Sequence, residues 1–171
     1  MTTLYLLSVW LHILAAVVWL GGIFFLVLVL VPVMRKEPDE RRKALFLYAV
    51  GEQFRRISWT ALGLIFVSGI FNLAYRGFGL SDVWNGRLWQ GPFGRAFAVK
   101  FTLFILVIIL SALHDFVIGP KSTRLWEERP DDPRVLRLRR QAGWIGRLTM
   151  VLALLIVLMA VMMVRGWPGF R

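Results

Sequence analysis

In 171 residues the chain is 58% hydrophobic, only 18% charged and free of cysteine, with a mean hydropathy of +0.66; an ordinary soluble domain carries about 25% charged residues. The missing cysteines exclude disulfides, thiolate metal sites and cysteine nucleophiles. The net charge of +11 does not point to nucleic acid, because the Lys and Arg flank four long apolar runs, where they set membrane topology and meet anionic lipid.

The first run covers 4–33. No Lys or Arg precedes it, and it far exceeds the ~7–15 residues of a signal-peptide core, so it is expected to remain in the mature protein. At ~1.5 Å per residue it is long enough to tilt or to project beyond the hydrocarbon. Pro32 is expected to end it. His12 lies in its outer part, with Ser8, Ala15, Ala16 and Trp19 on the same face. Small residues beside a histidine let a neighbouring helix or a flat cofactor approach. His12 therefore reads either as a neutral imidazole hydrogen-bonded across a bundle or as a ligand.

A basic loop follows, with Arg35, Lys36, Arg41, Arg42, Lys43, Arg55 and Arg56 before the second run at 57–75. The next loop, 77–96, is aromatic and glycine-rich: Phe78, Trp84, Trp89 and Phe93 with Gly79, Gly86, Gly91 and Gly94. Two readings fit it: anchoring at headgroup level, or a lid over a site that opens outward.

The third run, 97–119, carries the remaining ionisable groups at membrane depth. Lys100 either snorkels to the interface or turns inward, since Val107, Ser111 and His114 fall within ~40° of it on a helix. His114 and Asp115 lie near the cytoplasmic end. Adjacent helical side chains diverge by ~100°, so the two are not expected to be each other's partner. Asp115 is then free to pair with the basic loops, or the two residues together handle a proton or ion. His114 sits ~21 Å below Lys100, too far from His12 in depth for one haem iron to take both histidines. Gly119-Pro120 is expected to end this helix.

A second basic loop (Lys121, Arg124, Arg129, Arg134, Arg137, Arg139, Arg140, Arg147) leads to the fourth run at 148–164. Met159, Met162 and Met163 cluster there at i, i+3, i+4. Thioether sulfur and imidazole both suit Cu(I), so these methionines with His12 make a candidate copper site; methionine is also ordinary filling. Seven and eight cations in the first and third loops stand against Arg76, Arg87 and Arg95 in the second and Arg165 and Arg171 in the tail. That asymmetry predicts N-out, C-out topology.

The stretch Leu11-His12-Ile13-Leu14-Ala15-Ala16-Val17-Val18-Trp19-Leu20-Gly21-Gly22 resembles the first helix of the copper-resistance protein D (CopD) family. Phe54-Arg55-Arg56 leading to Ser68-Gly69, then Gly94-Arg95 followed by Lys100, resemble that family's next two segments. Leu113-His114-Asp115-Phe116-Val117-Ile118-Gly119-Pro120 resembles its short, CopD-like members. The likeness runs from the first helix to the end of the third and rests on order and spacing. A His seven residues before a Trp, with a Lys early in the third helix, is also similar to the HemJ-type protoporphyrinogen oxidases. In that family the corresponding His and Lys are linked to b-type haem and activity, which implies such roles for His12 and Lys100. The small residues of the first helix and the His-Asp-Phe ending are closer to CopD.

The expected fold is thus all-α, one integral membrane bundle of four transmembrane helices over 1–171, multi-pass in a bacterial plasma (inner) membrane. The expected function is copper homeostasis, binding or passing copper at the outer face, with His12, Met159, Met162 and Met163 as metal ligands. His12, Lys100, His114 and Asp115 are the candidate cofactor-binding residues, and no catalytic residue is assigned. The alternative is a haem b oxidoreductase; a third class is a small membrane subunit whose polar stripe binds a partner helix. Expected partners are the bilayer, anionic lipids at the basic loops, and a second copy of the chain or a periplasmic copper carrier.

Overall fold

The computed structural model describes residues 3–166, and among these there is no strand. Arg171, counted above with the tail, lies outside them. Four long helices dominate: α1 (Thr3–Met34), α2 (Glu40–Tyr75), α4 (Gly91–Glu128) and α5 (Pro133–Arg165), each long and apolar enough to cross a membrane. Between α2 and α4 lie a short helix, α3 (Leu80–Trp84), and a 3-10 turn (Arg87–Trp89).

The helices outrun the apolar segments at the basic end. Asp39 caps α2, accepting from the Arg41 and Arg42 amides at 2.9 and 3.0 Å, and so satisfies donors that a helix start leaves orphaned. One-turn ion pairs then carry the helix through its basic stretch: Lys43–Glu40 and Arg55–Glu52, both at 2.7 Å. Asp132 caps α5 in the same way, accepting from the Arg134 amide at 2.8 Å ahead of Pro133. The basic loops expected from the sequence are therefore helical for most of their length, joined by short turns.

The two expected proline stops are also overturned. α1 continues past Pro32 to Met34, and α4 past Gly119-Pro120 to Glu128. In each case a π-helical segment immediately precedes the proline, Phe25–Leu30 and Leu113–Ile118. Val31 donates to the Leu26 carbonyl and Gly119 to the His114 carbonyl, five residues back. The widened turn makes room for a ring that lacks an N–H and crowds the preceding turn.

The chain reverses at every connection. Tyr5 stacks on Tyr75 at 4.3 Å near one end, and a Cβ on Gly146 would touch Val27 toward the other. Four antiparallel spans put Thr3, Arg165 and the α2–α4 connection at one end of the bundle, and the basic turns at the opposite end. α1 packs mainly on α2 and α4 on α5, so the bundle is two helical hairpins. Phe66 and Phe104 join them with stacked rings 6.4 Å apart. Trp19, Ile23, Ala61, Leu62, Val107 and Ala153 form the core. Within it the Trp19 indole donates to Ser58 Oγ at 3.0 Å, and Gly22 lets the Phe54 ring press on the α1 backbone. Leu7, Val17, Val67, Ile109 and Val161 face outward with more than half their surface uncovered. An apolar exterior of that kind needs lipid around it.

Candidate functional site

Ser68, deep on α2, has one proton and two candidate acceptors in its own helix: the Leu64 carbonyl, in very close contact, and the Ile65 carbonyl at 3.3 Å. Such back-bonding to the preceding turn is usual for a helical serine. With its proton so committed, Ser68 Oγ meets His12 Nδ1 at 2.9 Å as an acceptor. This contact, together with the hydrogen bond that His12 makes with the Ile65 backbone, fits an imidazole protonated on Nδ1. Metal-binding histidines commonly have the ring nitrogen away from the metal tied down in this way. Ser8 Oγ reaches the Ser68 carbonyl at 3.5 Å, and Gly69 lies beneath the imidazole, where an added Cβ would meet Cε1 at 3.5 Å.

One turn beyond Ser68, Asn72 Oδ1 is buried without a hydrogen-bond partner among the described residues. A buried orphaned acceptor is costly, so this pocket of polarity is not closed by the protein's own groups. Lys100 is half-buried and near enough for its charge to act on His12; its ammonium forms no ion pair among the described residues. Met159 is buried, while Met162 and Met163 are half-buried. Carrying the antiparallel register up from the Val27–Gly146 contact by about fifteen residues, or ~22 Å, brings His12 level in depth with Val161, in the stretch of α5 that carries these methionines. No three His, Cys, Asp or Glu side chains among the described residues could hold a metal ion together.

The connection at this end is folded tightly. Asp82 is buried; it accepts from the Gly79 amide at 2.8 Å and pairs with Arg87 at 3.2 Å. The Gly79 hydrogen bond, with Arg87 alongside, holds its carboxyl below the usual carboxylate range. Trp89 donates to the Val83 carbonyl at 3.0 Å, and Gly94 meets the Leu88–Trp89 backbone so closely that no Cβ fits. Phe78, Phe93 and Phe97 continue as a ring stack. Trp84 and Leu80 remain almost wholly exposed.

At the opposite end His114 and Asp115 do pair, at 2.8 Å between Nδ1 and Oδ1, which corrects the expectation drawn from α-helical azimuths. Both residues lie in the π-helical segment, whose wider turn rotates less per residue and brings consecutive side chains together. Asp115 is further held by Trp59, which donates from Nε1 to Oδ2 at 3.0 Å, and Arg55 donates to its backbone carbonyl at 3.4 Å. Ser68 and Trp59 are about 14 Å apart along α2, so His12 and His114 occupy separate places. Lys100, Ser111 and His114 are not joined by any hydrogen bond among the described residues, and Val107 between them is fully buried in the core.

Sequence reasoning had no means to reach Ser68 as the partner of His12, 56 positions away, or Trp59 as the partner of Asp115, also 56 away. A serine or tryptophan in an apolar run looks like ordinary span composition until the helices are packed. Asn72 was the legible omission: it is an amide among apolar neighbours at membrane depth.

A family described as a domain of unknown function (DUF4149) matches over residues 14–131. An uncharacterized protein of Aquifex aeolicus (strain VF5) is 31% identical over 162 residues, covering 94% of this chain and 96% of its own length. The copper transport protein CutJ of Bacillus subtilis (strain 168) is 34% identical over 125 residues, which is 71% of this chain but only 20% of CutJ. This chain thus corresponds to about a fifth of that relative. No solved structure matches.

Proposed function

The chain belongs to the DUF4149 family, and on that premise we propose that it serves copper homeostasis in a bacterial plasma membrane, in the manner of CopD-like proteins. It holds or passes Cu(I) at the outer face, the end that carries Thr3 and Arg165. His12 Nε2 is the nitrogen ligand, and Met159, Met162 or Met163 supply sulfur. Copper here is cargo, received from or given to a periplasmic carrier. The observation that carries this reading is the similarity of residues in this chain to part of a copper transport protein. The Ser68 contact that ties down His12 Nδ1 supports it, as does the presence of imidazole and thioether at the same depth, a donor pair that suits soft Cu(I).

Lys100 supports a second reading. A cation beside His12 disfavours a metal ion and suits an anion, so b-type haem, with His12 as axial ligand and Lys100 near a propionate, is the competing assignment. One set of measurements separates the two. Purified protein is titrated with Cu(I) against a chelator, and its visible spectrum is recorded for a Soret band. On the copper reading, His12→Ala loses most bound copper, His114→Ala keeps it, and Lys100→Met binds as tightly as the parent or slightly tighter. Equal copper retention in the two histidine variants would reject His12 as ligand. A Soret band lost in both His12→Ala and Lys100→Met establishes the haem reading instead.

A further inference from the structure

Beyond copper, the basic end of the hairpin formed by α4 and α5 contains a groove of about 390 Å³, lined by Lys121, Leu125, Arg134, Arg137, Leu138 and Gln141. Lys121 and Leu125 are one turn apart on α4. Arg134, Arg137, Leu138 and Gln141 follow at i, i+3, i+4 and i+7 on α5, so each helix gives one stripe to the groove. Buried Ile118 and Val135 pack the hairpin at this level, and Arg139 lies over the Trp126 ring at 5.9 Å.

The charges in the groove are not equivalent. Arg134 is already neutralised by two-pronged contact with Asp132, down to 2.8 Å. Lys121 and Arg137 are exposed and form no ion pair among the described residues, leaving two uncompensated cations. Leu125 and Leu138 place apolar surface beside them. The depth is that of lipid headgroups: Lys121 comes two residues after the apolar run of α4 ends, and Trp144, one turn from Gln141, is 68% exposed with Arg147 stacked on it, as interfacial tryptophans are.

We infer that this groove is a specific site for the headgroup of an anionic phospholipid, with Lys121 and Arg137 on the phosphate oxygens and the leucines under the glycerol and first methylenes. Two cations favour a lipid bearing two phosphates, such as cardiolipin, over one bearing a single phosphate. A smeared attraction between the membrane surface and all the basic residues would not single out these positions.

The test uses the full chain in nanodiscs of phosphatidylcholine alone, or with one-tenth phosphatidylglycerol or cardiolipin, and counts retained lipid by native mass spectrometry. The variant Lys121→Gln/Arg137→Gln is compared with Lys36→Gln/Arg140→Gln, which removes the same charge from exposed positions at the same end. Cardiolipin is expected to be retained by the parent and the control. The groove variant should bind it about twenty-fivefold more weakly, the loss of two cations worth about fivefold each at a membrane surface. Melting in pure phosphatidylcholine should be the same for all three proteins, which separates lost binding from lost folding. Equal loss in both double variants would reduce the effect to diffuse charge and overturn the site. Competition by millimolar inorganic phosphate as strong as that by cardiolipin would overturn the assignment to lipid.

Discussion

Ser68 governs what His12 can do. Its hydroxyl proton is spent on its own helix, so it can only accept from the imidazole. Ser68→Ala removes the Oγ partner of Nδ1 at a cost of about 1 kcal/mol and leaves the ring held by the Ile65 backbone hydrogen bond. Cu(I) affinity should fall about 10- to 100-fold, as it does when a hydrogen bond behind a metal-binding histidine is removed; Ser68→Thr, which keeps the hydroxyl, should restore most of it. Chelator competition on folded Ser68→Ala with an unchanged affinity would show that the imidazole is not a ligand. His12 itself was legible in the sequence, because an ionisable group in an apolar run is conspicuous. Its partner was not, because the contact forms only when α1 and α2 dock. The His114–Asp115 pairing failed for a different reason: the angle assumed between neighbours was that of an α-helix, and the backbone there is wider.

At the scale of elements, each apolar run lies within one long helix, and α1 spans Thr3–Met34 against an expected 4–33. What hydropathy could not mark was the helix beyond the hydrocarbon. Residues 40–56 are helical through the Asp39 cap and one-turn ion pairs, and neither device raises hydropathy. The proline stops failed because a π-turn just ahead absorbs the ring. The α2–α4 connection carries a pH prediction. The Asp82 carboxyl is held below its ordinary range by the Gly79 amide and then Arg87, so its stabilising effect is complete above about pH 4, the unfolded value. That effect is lost only as pH falls through the lower folded value. Hydrogen exchange at the Gly79 amide should therefore stay slow from pH 7 to about pH 4 and lose protection below that. In Asp82→Asn protection should be weaker at pH 7 and should not change further with acid.

For the whole molecule, the charge asymmetry predicts an orientation and the four apolar helices predict an even number of crossings. A reporter active only in the cytoplasm should be silent when fused after Arg165 and active in the turn near Lys36. A signal at both positions would contradict an even number of crossings. The same bundle has a polar cluster at each end and a core of Trp19, Leu62 and Val107 between them, so any traffic from one end to the other must pass a dry middle.

The division into two hairpins bears on how the chain is made and how far it can be taken apart. α1 with α2, and α4 with α5, each bury their main interface within one consecutive pair, so each pair can enter a membrane as a unit before the two associate. A gene split at Gly77 should then yield two polypeptides that find each other when co-produced. The seam between them includes the shared core of Trp19, Leu62, Val107 and Ala153, the Phe66–Phe104 stack, the Trp59 and Arg55 hydrogen bonds to Asp115, and the Arg139–Glu40 ion pair. Co-purification of an untagged second half with a tagged first half, lost on Trp59→Ala combined with Phe104→Ala, would show the protein to be an intramolecular dimer of hairpins. If neither half accumulates without a covalent link, the folded connection at 77–90 belongs to the assembly itself.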